Sequence, residues 1–234
     1  MRKVDPASVR HDFDAFASER RSHFVRLEGV LKGTPHEKRD LSILAETTLH
    51  STYVAFEVFL SDLLLAYMNR DFSTYQATLQ TDIQRLVQSK LGVGASSMTK
   101  LDAPKHIKIQ HLENLVDPTG WNLTFKSVAL LQTKFAAWVS PAHGAGVAGL
   151  VPSDTKLIDT ARAIRNFTAH KSDGSKQIMN NMLLTVSTGA CPNSSLLRGN
   201  HEIHDVGAYL KSASGGQRRV VTYIERLRSI AATL

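Results

Sequence analysis

Between Asp40 and Asn69 the chain keeps an apolar spacing that only a long helix can satisfy. Leu49, Tyr53, Phe56, Leu60, Leu63 and Tyr67 follow one another at steps of 4, 3, 4, 3 and 4, the spacing of a helix packed along its whole length. Thirty residues of continuous helix span about 45 Å. Val54, Val58, Phe59 and Leu64 widen the apolar face, which places this helix at the centre of a bundle. Beside it, His50, Glu57 and Ser61 form a polar stripe at steps of 7 and 4. Polarity on the flank of a bundle helix ordinarily serves solvation, and a functional Glu57 supported by Ser61 is the alternative. The run "VAFEVFLSDLLLAYM" is broken by Glu57 and Asp62, which argues against a membrane span.

The remaining segments read in the same way. "VDPASVRHDFDAFASERRSHFVRLEGVLKG" opens with Asp5 as N-cap and Pro6 at the first helical position, and stops at Gly33 and Pro35. "FSTYQATLQTDIQRLVQSKLG" is a helix ended by Gly92, and "GVGASSMTK" reads as a mobile loop. Residues 101–120 stay open, because "KHIKIQHL" alternates like a strand while "IQHLENLV" has helical spacing. Phe125, Val128, Leu131, Phe135 and Trp138 predict a helix stopping at Pro141, and Ser153 or Asp154 is the expected cap of the next one. Residues 171–200 lack clean periodicity. The last segment buries Val220, Val221, Ile224, Leu227 and Leu234 and turns Arg218, Arg219, Arg226 and Arg228 outward. The expected fold is all-α, a helical bundle with a long central helix and an inserted loop-rich region. With 234 residues and 42% hydrophobic content, it is read as one domain over 1–234, with 92–150 as an insertion or elaboration.

Composition narrows the function classes. The net charge of +7 and pI of about 9.6 attract a polyanion at long range, which favours a nucleic-acid partner. Cys191 is the single cysteine, so no intramolecular disulfide forms, and the expectation is a cytoplasmic protein. The basic N-terminus "MRKVDPASVRHDF" lacks the apolar stretch of a signal peptide.

Several motifs fail on context. "GAGVAG", residues 144–149, matches G-x-G-x-x-G, but Pro141 and a helical segment precede it and Pro152 follows. A dinucleotide site needs a strand before the glycines and a helix starting within them, so this stretch reads as a flexible loop. "HEIH", residues 201–204, lacks the histidine spacing of zinc proteases. No metal site and no cofactor are expected.

What remains is "AIRNFTAHKS", residues 163–172. An arginine followed by a histidine after four to six residues is common by accident. With 15 arginines and 10 histidines in 234 positions, about two matches arise by chance, and the chain has two, Arg165 to His170 and Arg198 to His204. Context separates them. Arg165 sits on a helix whose Leu157, Ile158, Ala161, Ile164 and Thr168 form one apolar face, whereas Arg198 lies among Pro, Asn, Ser and Gly. Histidine both takes and returns a proton near neutral pH, and arginine offers a charged planar fork to two phosphate oxygens. The plain alternative is that Arg165, Asn166 and His170 solvate a helix C-terminus, where positive side chains suit the dipole.

"IRNFTAH" resembles the R-x4-6-H motif of the HEPN superfamily, in which a polar residue such as Asn166 often follows the arginine. The long helix and the basic C-terminal helix also suit that family's bundle. The resemblance implies a metal-independent endoribonuclease of a toxin–antitoxin or antiviral system. His170 would be general acid/base, Arg165 would stabilise the pentacoordinate phosphate, and Asn166 would orient one of them. The ribose 2'-OH would attack the adjacent phosphate, leaving 2',3'-cyclic phosphate and 5'-OH ends. Lys171 is a supporting candidate, and Arg162, Lys176, Arg218 and Arg219 are RNA-binding candidates. Expected partners are the RNA, a second copy of the chain, and an antitoxin or regulatory protein. A HEPN-like nucleotide-binding or partner-docking module without catalysis is the alternative.

Helix geometry adds a constraint. Five residues turn about 500°, so Arg165 and His170 point about 140° apart and lie about 7.5 Å apart along the axis. Either the helix ends before His170, or two chains meet along it and pool their motifs.

Overall fold

The computed structural model describes residues 4–102, 107–117, 125–184, 196–199 and 201–234. Among the described residues there are eleven helices and one hairpin of two-residue strands, so the all-α expectation holds. The helices are α1 (Pro6–Leu31), α2 (Glu37–Arg70), α3 (Ser73–Leu91), α4 (Val93–Met98), α5 (Ile109–Val116), α6 (Val128–Trp138), α7 (Pro141–Ala148), α8 (Pro152–His170), α9 (Asp173–Leu184), α10 (Val206–Lys211) and α11 (Arg219–Thr233). Strands β1 (Ala213–Ser214) and β2 (Gln217–Arg218) pair antiparallel between α10 and α11.

Two compact units divide the chain, one of Met1–Val9, Leu60–Gly149 and Leu234, the other of Arg10–Phe59 and Leu150–Thr233. The division cuts α1 and α2 within their lengths, so no linker in the sequence marks it. Helix α2 is the long helix foreseen between Asp40 and Asn69, extended by one turn at its start. It is long and apolar enough to cross a membrane by length and composition, yet 61% of its most apolar window is buried inside the fold. Its apolar stripe is spent on packing.

In the first unit, Leu63, Leu64 and Met68 of α2 are buried with Leu112 of α5 and Leu131 and Phe135 of α6. Asn69 fastens two distant segments. Its Oδ1 accepts from the Val4 amide at 3.0 Å, and its Nδ2 donates to the Ile107 carbonyl at 2.9 Å. Tyr67 donates to the carbonyl of Leu234 at 2.8 Å, tying down the chain end. Along α3, Gln76, Gln80 and Gln84 lie one turn apart. Gln76 Nε2 donates to the Leu101 carbonyl at 3.1 Å and Gln80 Nε2 to the Thr99 carbonyl at 2.7 Å, while Gln80 Oε1 accepts from the Leu101 amide. A groove of about 470 Å³ runs beside this seam.

Three sequence readings are corrected here. "GVGASS" is not a loop, because residues 93–98 close a helical turn, with Gly92 at φ 87° supplying the break before it. "GAGVAG" also lies mostly in helix, since Pro141 starts α7 and its glycines accompany the helix through Ala148. Proline belongs at a first helical position, so Pro141 both ends one helical pattern and begins the next. Residues 173–184, within the 171–200 stretch that lacks clean periodicity, form α9. The undecided 101–120 stretch contains α5, and its Leu112 is fully buried; the strand-like "KHIKIQHL" alternation lies partly outside the described residues.

The second unit is built on α2, α8 and α11. Phe13 of α1 sits 5.4 Å from Phe56 and 5.1 Å from Phe59, ring centre to ring centre. Such aromatic pairs add about 0.5–1.5 kcal/mol beyond their area burial. Asn180 of α9 is buried, and it holds the following segment by accepting from the Ile203 amide at 2.8 Å and donating to the Ile203 and Lys176 carbonyls at 3.1 Å each. Helix α10 crosses α2 at Gly207, where a Cβ would stand 2.7 Å from both the Cβ and the carbonyl oxygen of Ser42. Only glycine permits that approach.

Candidate functional site

Helix α8 is anchored as its sequence requires. Leu157, Ile158, Ala161, Ile164 and Phe167 are buried, and Phe167 rather than Thr168 completes the apolar face. The cap differs from the expectation. Val151 occupies the N-cap without a side-chain bond, Pro152 takes the first helical position, and Asp154 instead pairs with Arg226 of α11 at 2.6 Å. An acidic residue in the first turn suits the helix dipole whether or not it caps.

The other end decides the geometry of the motif. Helix α8 runs through His170, and Lys171 then adopts a left-handed conformation at φ 49°, its amide donating to the Phe167 carbonyl at 2.8 Å. The helix therefore does not end before His170, and the divergence of about 140° between Arg165 and His170 stands. A non-glycine residue at positive φ is strained by about 1–2 kcal/mol. Lys171 is held there by Glu46 of α2, 2.9 Å from its Nζ, and its ammonium lies 5.2 Å from the Phe167 ring centre.

Arg165 faces α2. Its Nη2 is 3.5 Å from Glu57 Oε2, and its Nη1 donates to Asn166 Oδ1 at 2.9 Å. Both partners are largely covered, with side-chain exposures of 28% for Arg165 and 15% for Glu57. Burial pushes the Glu57 carboxyl above its ordinary value, against the pull of Arg165 and Arg162. Desolvation prevails because the ion pair is long: 3.5 Å recovers less Coulomb energy than a close pair. Arg165 Nε is buried without a hydrogen-bond partner among the described residues. The guanidinium thus keeps donor capacity beyond the two contacts it makes.

Arg162, one turn before Arg165, lies 3.7 Å from Asp159. Tyr53 of α2 is buried against these charges, and its hydroxyl is pushed strongly upward by burial first and by Glu57 next. His50 is half-buried on the same face of α2. Desolvation and the nearby Arg165 charge hold its imidazole below its ordinary value. Arg165, Asn166 and Glu57 therefore meet, while His50 stands on α2 where the Arg165 charge acts on it, a residue the sequence offered only as flank polarity.

The remaining candidates disperse. His170 is exposed. Ser61 belongs to the first unit, whereas the motif belongs to the second. Lys171 is occupied by Glu46. Lys176 Nζ lies 2.9 Å from His204 Nδ1, so one histidine of "HEIH" meets a cation; Cys191 lies outside the described residues. Arg218 Nε pairs with Glu28 at 2.6 Å and its Nη1 donates to the Lys211 carbonyl at 2.8 Å, while Arg219 stacks 4.9 Å from the Tyr209 ring centre. Arg226 pairs with Asp154 and Arg228 with Asp14 at 2.8 Å. The expectation that all four arginines of this helical segment turn outward is corrected: carboxylates and carbonyls of the same unit receive their guanidinium groups.

Set against family models, curated proteins and solved structures, the chain matches none of them.

Proposed function

We propose that this protein is a HEPN-type, metal-independent endoribonuclease acting in the cytoplasm as a toxin or antiviral effector. The observation that supports the reading most is Arg165 itself: a half-buried guanidinium, positioned by Asn166 at 2.9 Å and a long pair to Glu57, on a helix fixed by six buried apolar side chains. In this reading the guanidinium receives the phosphate as negative charge builds on it, where a preorganised donor is worth about 2.7–4 kcal/mol. His170 moves protons, and the ribose 2'-OH attacks to leave 2',3'-cyclic phosphate and 5'-OH ends. Because α8 continues through His170, one chain presents Arg165 and His170 on diverging faces. The site is completed by a second copy of the chain meeting along α8 in a two-fold dimer.

The test is incubation of the purified protein with RNA in EDTA. The expected result is cleavage with cyclic phosphate ends, reduced about 10²-fold or more by Arg165→Ala and by His170→Ala. No cleavage by the wild type, or full cleavage by both variants, refutes it. The engagement of Arg165 by Glu57 and Asn166 also suits a HEPN-like nucleotide-binding or partner-docking module. That reading predicts that both alanine variants preserve the cellular phenotype of the wild type.

A further inference from the structure

Two ion pairs fix the facing of α2 and α8, Arg165 with Glu57 at 3.5 Å and Lys171 with Glu46 at 2.9 Å. Glu46, His50, Tyr53 and Glu57 follow at steps of 4, 3 and 4, which confines all four to an arc of about 60° on α2. The first and last of them contact α8. His50 therefore lies on the α8-facing side, between the two ion pairs, about 6 Å along the axis from Glu46 and about 10.5 Å from Glu57. Tyr53 at the centre of this row is buried, whereas His50 stays half-exposed at its rim. An RNA phosphate received by Arg165 would find the imidazole within the same seam.

We infer that His50 is a second catalytic histidine, the general base that complements His170 around the phosphate held by Arg165. The inference rests on the endoribonuclease reading. The chemistry calls for two proton-transfer groups, because one proton leaves the nucleophile while another reaches the leaving oxygen. The 2'-OH gives its proton to the imidazole of His50, and the bond from O2' to phosphorus forms. The bond from phosphorus to O5' breaks, and O5' takes a proton from His170. The products are a 2',3'-cyclic phosphate and a 5'-OH, and both histidines return to their starting states by exchange with water.

The surroundings of His50 suit a base. Of the charged groups along this seam, Glu46 and Glu57 on its own helix and Arg165 and Lys171 on α8, Arg165 is the one whose charge acts on His50. Desolvation and Arg165 favour its neutral form, the form that accepts a proton. The complementary proton donor in this inference is His170, exposed at the helix end, and in the dimer it comes from the second copy of the chain.

The test uses the full chain on two RNAs in EDTA between pH 5 and pH 8, one natural and one with sulfur replacing the bridging 5'-oxygen at the cleavage site. A thiolate leaves without needing a proton. Expected are a fall of kcat of about 10²-fold or more for His50→Gln on both substrates, loss of the acid limb of its pH profile, and recovery of His170→Ala on the sulfur substrate alone. His50→Ala should regain cleavage when imidazole is added, which a merely structural role would not allow. Undiminished cleavage by His50→Gln, with His170→Ala inactive on the natural RNA, overturns this inference and leaves the ribonuclease reading standing. Absence of cleavage by the wild type overturns both.

Discussion

Replacing Gly207 by alanine tests how closely α10 is packed on the helix that carries Glu46 and His50. The added Cβ would stand 2.7 Å from the Ser42 Cβ, 2.7 Å from the Ser42 carbonyl oxygen and 2.9 Å from Glu46 Oε1. Carbon atoms in contact rest at about 3.5–4.0 Å, so α10 must retreat by about 1 Å. The carboxylate could swing away, but Ser42 offers backbone on a long helix and cannot. Overpacking of this kind costs about 1–3 kcal/mol, or roughly 2–12 °C in Tm for a chain of this size. The assay is urea and thermal unfolding followed by far-ultraviolet circular dichroism, with Gly174→Ala as comparator. Gly174 lies in the first turn of α9 with open space around it, so alanine there is neutral or stabilising by up to about 1 kcal/mol. Should Gly207→Ala match Gly174→Ala within about 0.5 kcal/mol, the close crossing of α10 and α2 is refuted.

Glu57→Gln is expected to gain on the wild type as pH rises. The folded carboxyl is raised above 4.5, so between the unfolded and folded values the native state binds more protons, and wild-type stability declines with rising pH in that window. Unfolding series at pH 4 and pH 7 check the sign; an unchanged difference refutes it. His50, lowered from 6.5, acts in the opposite sense: its contribution is present above 6.5 and lost as pH falls through the folded value. His50→Gln should therefore flatten stability between pH 7 and pH 5. Asn180→Leu removes three partly buried hydrogen bonds and strands the Ile203 amide, which should cost about 2 kcal/mol in urea unfolding. Lys171→Gly should exceed Lys171→Ala in stability by about 1 kcal/mol, since both lose the Glu46 pair but only glycine relieves the positive φ; equal melting temperatures would contradict the strain.

Periodicity revealed α1, α2, α3, α6 and α11 because each carries an apolar row long enough to show its period. It failed at α4 and α7, which are only six and eight residues long and carry few large apolar side chains to show a period. Helix α9 was missed because Asn180 fills a core position, and its partner Ile203 lies 23 residues away. Within the candidate site, Arg165, Asn166 and Glu57 were legible as residue types. Their meeting was not, because nothing local in the sequence registers residue 57 against residue 165. His50 was visible on the polar stripe of α2 but indistinguishable from solvated flank until Glu46 and Glu57 were seen to face α8. The arginines of β2 and α11 misled for the same reason: the carboxylate partners of Arg218, Arg226 and Arg228 stand at residues 28, 154 and 14.

Helix α3 is attached in an unusual manner, with Tyr75 its one buried side chain and the glutamine row supplying much of its grip on residues 99–101. Amide groups gripping carbonyls must compete with water for every bond, so this attachment draws little on the hydrophobic effect that holds α2. Such a segment occupies the low end of the stability range within a fold. Amide hydrogens of α3 and α4 should thus exchange with deuterium well ahead of those in α2, making this polar seam the place where the molecule first opens.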